Sequence, residues 1–314
     1  MEFFKSTVNI NFYRLRTVAA VVSIVLFLIA IGSFYRHGLN LGLDFTGGTQ
    51  IQFSYPQAVD LNQIRGNLAK AHLEEAQVQS FGDSKTILIT LGVNALKALP
   101  NETEKDMQNR VKDQLVTALP GAQFNSAAFI GAKVSSELAY KGILAVVVAM
   151  IATMIYIAFR FEWRLAVSAA ISLVHDPVLI LGVFSFFHIE FDLVSLAAVL
   201  TIIGYSLHDS IVVFDRVREN FRKMRTGTPV EVVNSAINQT LSRTIISSGL
   251  TLSVCIVLFL WGGSSIHAFS LALIIGIIVG TYSSIYVAGS LALALGLSRK
   301  DLLPAAKQAV DDRP

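Results

Sequence analysis

Six runs of 18 to 23 predominantly apolar residues divide this chain: Thr17–Tyr35, Gly142–Phe159, Leu165–Phe187, Leu193–Phe214, Thr244–Gly262 and Ala268–Gly289. Each falls in the length range of a helix that crosses a hydrocarbon core of about 30 Å. No other feature restricts the fold as much, because lipid cannot satisfy exposed backbone polar groups and leaves helices or closed barrels as the only spanning structures. Composition agrees. Only 15% of the 314 residues are charged and 53% are hydrophobic, whereas soluble domains carry about 25% charge. A soluble enzyme and a disordered chain are both excluded. The expected architecture is a polytopic α-helical membrane protein with six transmembrane helices.

Lys and Arg set the expected orientation. Lys5, Arg14 and Arg16 precede the first span, and Arg160 and Arg164 fill the loop between spans two and three. Arg216, Arg218, Arg222, Lys223, Arg225 and Arg243 lie between spans four and five, and Arg299, Lys300, Lys307 and Arg313 follow span six. The opposite short loops, His188–Asp192 and Gly263–His267, contain neither residue type. The positive-inside rule therefore makes both termini (1–16 and 290–314) cytoplasmic and residues 36–141 external. The first run also has the flanks of a signal peptide, with Ala30-Ile31-Gly32 as a cleavage-like site. Five further spans make a separate export signal unnecessary.

Residues 36–141 read as a folded domain. Phe45–Tyr55 has strand content, with Ile51, Phe53 and Tyr55 alternating against Gln50, Gln52 and Ser54. Leu61, Ile64, Leu68 and Leu73 recur at helical spacing, as do Met107, Val111, Leu115 and Leu119 within Thr103–Leu119. Val78–Phe81 and Lys85–Leu91 are short strands joined at Gly82-Asp83-Ser84, and Gln123–Ile130 is a closing strand. The order β-α-β-β-α-β predicts an α+β, ferredoxin-like domain. Binding or docking suits it better than catalysis. On the other side of the membrane, residues 215–243 carry charges at i,i+3 and i,i+4 that extend span four. Thr228-Pro229 with Glu231 then starts a second helix through a capping box. Val230, Val233, Ile237 and Leu241 line one face, which predicts a short amphipathic helix on the membrane surface.

No Cys, His and carboxylate cluster has metal-ligand spacing, and no phosphate-binding glycine loop is present. The single Cys255 lies in an apolar run and reads as a packing residue. No cofactor and no enzyme activity is expected, and any energy must enter another way. The polar residues inside the spans suggest how. His175-Asp176-Pro177 lies near the middle of span three, His208-Asp209 toward the end of span four, and Arg243 at the start of span five. A charge at the centre of an inserted helix costs about 2.5–3.5 kcal/mol. Burial disfavours a carboxylate and a neighbouring guanidinium favours it, so an Asp held between the two can exchange a proton. Each site also has a structural reading. Arg243 can anchor at the interface, His175 and Asp176 can bond the carbonyl that Pro177 frees, and Asp209 can bond Tyr205 or His208. Spans four and five bring Asp209 and Arg243 to similar depth, which predicts that they pair in at least one state. Gly276 and Gly280 form a G-x-x-x-G helix-packing motif in span six, serving either this chain or a partner.

Two longer motifs carry a resemblance. Leu41-Gly42-Leu43-Asp44-Phe45-Thr46-Gly47-Gly48-Thr49, after span one, and the stretch from Gly204 to Asn220 in span four resemble signatures of the SecD/SecF family of bacterial protein-export subunits. His175-Asp176 resembles that family's span-three motif. The resemblance covers nearly the whole chain. It implies a half-transporter of the RND superfamily type in the inner membrane, paired with SecD and working beside SecYEG and YajC on unfolded preprotein. It implies protons as the coupling ion, with Asp209 and Arg243 as the family's proton-pathway pair and His208, Asp176 and His175 as further members of the pathway. Asp44, Phe45, Gly47 and Gly48 belong to the glycine motif. Its physical reading is a bend where the chain leaves the membrane and enters a strand. One departure is His208, where the family usually has Asn; the change either leaves the site intact or adds a second titrating group. No nucleic-acid partner is expected. Two alternatives remain: half of a small-molecule or lipid exporter of the same superfamily, and a membrane scaffold that transports nothing.

Overall fold

A computed structural model of the chain describes residues 10–71, 73, 76–92, 104–224 and 226–299. Lys5, Thr103, Arg225, Lys300, Lys307 and Arg313, used in the sequence argument, lie outside them. Helix α1 (Arg16–His37) leads through a two-residue strand β1 (Asn40–Leu41) and one helical turn α2 (Leu43–Thr46) into the sheet domain. There β2 (Gly48–Ser54), α3 (Leu61–Lys70), β3 (Gln77–Phe81), β4 (Asp83–Gly92), α4 (Glu104–Ala118) and β5 (Gln123–Ile130) follow in turn. The chain returns as α5 (Ala132–Arg160) and α6 (Trp163–Phe186), then a short strand β6 (Glu190–Phe191). Helices α7 (Leu193–Lys223), α8 (Pro229–Trp261) and α9 (His267–Tyr282) come next, with α9 passing through a π-type turn (Ser283–Ala288) into α10 (Gly289–Ala294). Six of these helical stretches are long and apolar enough to cross a membrane.

The sheet is antiparallel with strand order β3-β4-β2-β5. Alternation decides its faces. Ile51, Phe53, Val78, Ile87, Ile89 and Leu91 turn inward onto Ile64 and Leu68 of α3 and Val111, Leu115 and Leu119 of and beside α4. Gln50, Gln52 and Ser54 stay on the other face, where Ser126 donates to Gln52 and Ser54 to Asn125. One expected boundary moves. Phe45 is not in the first strand but in the turn α2, because Gly47 (φ 66°) and Gly48 (φ 126°) reverse the backbone before β2 begins.

The membrane-side loop requires a larger correction. Thr228 caps the helix as expected, with its hydroxyl accepting from Glu231 N and Glu231 accepting from Thr228 N. The helix does not stop at Leu241 and does not lie on a surface. It runs unbroken to Trp261, and Val232, Val233, Ala236, Ile237 and Leu241 are buried against Phe12, Val213, Phe214, Val217 and Ala292. Asn234 and Asn238 hold the segment ahead of α1, accepting from Phe12 N (2.9 Å) and Ile10 N (2.8 Å). The apolar face expected to meet lipid headgroups meets protein instead.

Helix α7 also extends past its apolar run, held by Glu219 bonding Arg216 and Lys223 and by Arg160 bonding both Asp215 oxygens. Helix α1 packs on α6 where Gly182 has no side chain to block Ala30, and Ser33 and Ser185 hydrogen-bond beside that contact. Large apolar side chains of α5 (Val148, Ile151, Ile155) and α8 (Leu250, Val254, Val257) remain exposed, as spans facing lipid or another chain require.

Candidate functional site

Helices α6, α7, α8 and α9 place the intramembrane polar residues in two connected layers. Helix α7 is common to both. Its Ser206 and Asp209 lie on the buried side, one turn apart, with 3% and 7% exposure.

The first layer joins α6 to α7. His175 Nδ1 lies 2.9 Å from Asp176 Oδ1, and Ser206 Oγ donates to Asp176 Oδ2 across the helix interface. Asp176 is 1% exposed. Phe27 of α1 stacks parallel to the His175 ring at 6.2 Å. Among the described residues, neither His175 nor Asp176 bonds the carbonyl freed by Pro177. The carboxylate is spent on α7, so the pair ties two spans together. Among the described residues His175 Nε2 has no hydrogen-bond partner, and His175 borders a cleft lined by α1, α6 and residues 286–294.

The second layer joins α7 to α8 and α9. Ser248 Oγ donates to Asp209 Oδ2 at 3.4 Å, while accepting from Tyr205 Oη at 3.3 Å and Thr281 Oγ1 at 2.9 Å. Ser248 thus links one carboxylate to two hydroxyls on different helices. Asp209 bonds neither Tyr205 nor His208 directly. Sequence reasoning missed Ser248 and Thr281. Small hydroxyl residues in apolar helices are too common to stand out, and only the fold brings them to Asp209.

Arg243 lies on α8 in the midst of a continuous helix, not at a span's first residue. It is exposed, and no ion pair joins it to Asp209 in this structure. His208 also faces outward. Asp209 is therefore buried one residue from an exposed His, while His208 and Arg243 lie on faces this chain leaves uncovered.

Gly276 and Gly280 pack within the chain. A Cβ at Gly276 would overlap the Ile202 side chain of α7, and one at Gly280 would come within 3.1 Å of Ser206 Cβ. The close approach of α9 holds Ser206 and Asp209 in the buried layer. Gly276→Leu is expected to cost about 1–3 kcal/mol by overpacking, read as a lower midpoint in detergent unfolding of the full chain. An unchanged midpoint contradicts this packing.

The glycine motif lies apart from both layers. Asp44 Oδ2 accepts from Leu193 N at 2.9 Å, at the start of α7, and Phe45 stacks on Phe191 with ring centroids 6.0 Å apart.

With this geometry in place, comparison with known proteins is informative. The family described as "Protein export membrane protein SecD/SecF, C-terminal" matches residues 110–298, and the "SecD/SecF GG Motif" matches residues 32–59. The chain is 44% identical over 309 residues to protein translocase subunit SecF of Pseudomonas aeruginosa, covering 98% of each chain. It is 43% identical over 286 residues to the subunit of the same name from Escherichia coli O157:H7, covering 90% of this chain and 86% of that one. Among solved structures, SecDF from Thermus thermophilus, described as a translocon-associated membrane protein, superposes with a TM-score of 0.82 at 32% identity. The match covers 93% of this chain but spans only 39% of that longer one. SecDF in a super-membrane-facing form gives a TM-score of 0.65 at the same identity and coverage.

Proposed function

Because the chain belongs to the SecD/SecF family of protein-export membrane proteins, we propose that it pairs with SecD and draws on the proton-motive force to promote late steps of preprotein translocation. The observation that carries this reading is Asp209, a buried carboxylate on a spanning helix. Its bonded partner is a neutral hydroxyl, and the exposed side chains of Arg243 and His208 lie on a face this chain leaves uncovered. A fixed structural carboxylate is ordinarily closed off by a close cation. An exchanging one needs a path to it and a counter-charge that can approach and leave.

In this reading both termini are cytoplasmic, the sheet domain faces the periplasm, and the membrane is the bacterial inner membrane. The uncovered face of α7 and α8 meets SecD, and protons pass between the halves by way of Asp209. Asp209 and Arg243, apart in this structure, pair in another state, and protonation of Asp209 there releases Arg243 and lets helix groups shift. One elementary charge crossing 100 mV yields about 2.3 kcal/mol, so a few protons can drive a domain movement. The two SecDF structures superpose unequally on this chain at equal coverage, which supports more than one arrangement of the fold. SecYEG and YajC are the expected neighbours, and unfolded preprotein is what the sheet domain handles.

Inverted vesicles depleted of the native subunit pair test the proposal. Supplying this chain together with SecD restores gradient-stimulated export of a preprotein. Export that is restored equally with the gradient collapsed overturns the proton-driven part of the reading, and no restoration overturns the export role.

A further inference from the structure

The segment between α1 and β2 does more than turn the chain. Asp44 Oδ2 accepts from Leu193 N (2.9 Å) and Asp192 Oδ1 from Ser195 N (2.7 Å), so two of the four open amides at the start of α7 are capped, one of them by a residue 149 positions away. Beside this cap, β1 pairs in parallel with β6, matching Asn40 with Glu190 and Leu41 with Phe191, and Gly42 N donates to Phe191 O at 2.9 Å. Phe45 stacks on Phe191, whose edge meets Phe184 of α6 at 5.8 Å.

The same segment is joined to the sheet by strand pairing and close backbone contact. Gly48 opens the central strand β2, paired with Gly92 on one side and Ile130 on the other. A Cβ there would overlap the Leu91 carbonyl oxygen, so the backbones are in close contact. A second contact comes from the edge strand, where Gln79 Nε2 donates to Glu190 Oε2 at 2.5 Å. The sheet domain is thus held to the α6–α7 connection at two points. From Leu193 the single helix α7 runs about 24 Å to Asp209 at 1.5 Å per residue.

We propose that Gly42–Gly48 clamps the sheet domain to the first turn of α7, with Asp44 as the positioning residue through which a displacement of that helix reaches the sheet. The clamp itself stands on these contacts; only the source of the displacement rests on the proton-driven reading. Breaking it loosens the domain, leaving the Gln79–Glu190 contact as its remaining hold, without altering the polar layers, which lie among the helices.

Spin-label distances in the full chain, reconstituted with SecD in a Cys255→Ala background, test it. One label pair, at Thr117 and Trp261, reports the sheet domain against the helices; the other, at Trp163 and Lys223, reports the helices alone. At rest, Asp44→Ala is expected to at least double the width of the Thr117–Trp261 distribution, and Asp44→Asn, which keeps an accepting oxygen, to leave it narrow. A narrow distribution in Asp44→Ala overturns the clamp. Under a proton gradient, Asp44→Ala keeps the Trp163–Lys223 shift and loses the Thr117–Trp261 shift. A domain shift that persists in this variant overturns the positioning role. Absence of any gradient-induced shift in the unsubstituted complex contradicts the proton-driven reading and overturns the transmitting role, leaving the resting widths to decide the clamp alone.

Discussion

On the proposed reading, Asp209→Asn is expected to abolish the gradient-stimulated part of export while leaving the chain folded and joined to its partner. The substitution keeps the side chain's volume and one accepting oxygen, so Ser248 retains its bond and Tyr205 and Thr281 retain theirs to Ser248. Nothing near it must repack. The change in unfolding free energy is expected to stay within about 1 kcal/mol, because a neutral amide replaces a group whose hydroxyl partner suits either form. What is lost is the exchangeable proton. Unchanged co-purification with SecD and an unchanged thermal midpoint check the first half of this expectation. Collapse of the complex instead assigns Asp209 an assembly role and favours the scaffold reading.

The second large effect is in the sheet domain. Gly48→Val combines two costs that no rotamer relieves: a φ of 126°, which L side chains rarely adopt, and overlap with the backbone oxygen of Leu91. Together they amount to about 3 kcal/mol or more, a large share of the 5–15 kcal/mol that holds a domain of this size. Limited proteolysis of the full chain in detergent is expected to cut the sheet domain first, with the helices still protected. Gly66→Ala in α3 is the control. A Cβ there meets nothing within 4 Å, and Gly-to-Ala in a helix stabilises by about 0.5–1 kcal/mol. If both variants resist protease equally, the strain assigned to Gly48 is absent.

These effects show which features the sequence makes legible. The six spans and the strand-helix order of the sheet domain follow from apolar periods alone, and the inward positions Ile51, Phe53, Ile64, Leu68, Val111 and Leu115 are those that alternation and helical spacing select. Hydropathy misled at α8. Asn234, Asn238 and Arg243 interrupt the apolar run, but the helical hydrogen-bond ladder continues beneath them, since its continuity depends on backbone geometry and not on side-chain polarity. No Gly or Pro lies between Pro229 and Gly249, and that was the available signal for one long helix. Asp209 and His175-Asp176 stood out because charge in an apolar run is costly. Ser206 and Ser248, which bond Asp176 and Asp209, and Thr281, which bonds Ser248, did not stand out, and neither did the contact of Asp44 with Leu193. Such partners come from distant parts of the chain, and no local pattern encodes them.

The family places the chain in protein export; Asp209 is where the proposed energy coupling stands or falls. The most direct measurement follows preprotein import into inverted vesicles containing the SecD-paired chain, with and without a protonophore, for the unsubstituted protein and Asp209→Asn. The account predicts that the protonophore lowers import by the unsubstituted pair to the level of the variant, and that it has no further effect on the variant. Equal gradient stimulation of both proteins contradicts it and moves the coupling residues to the partner half.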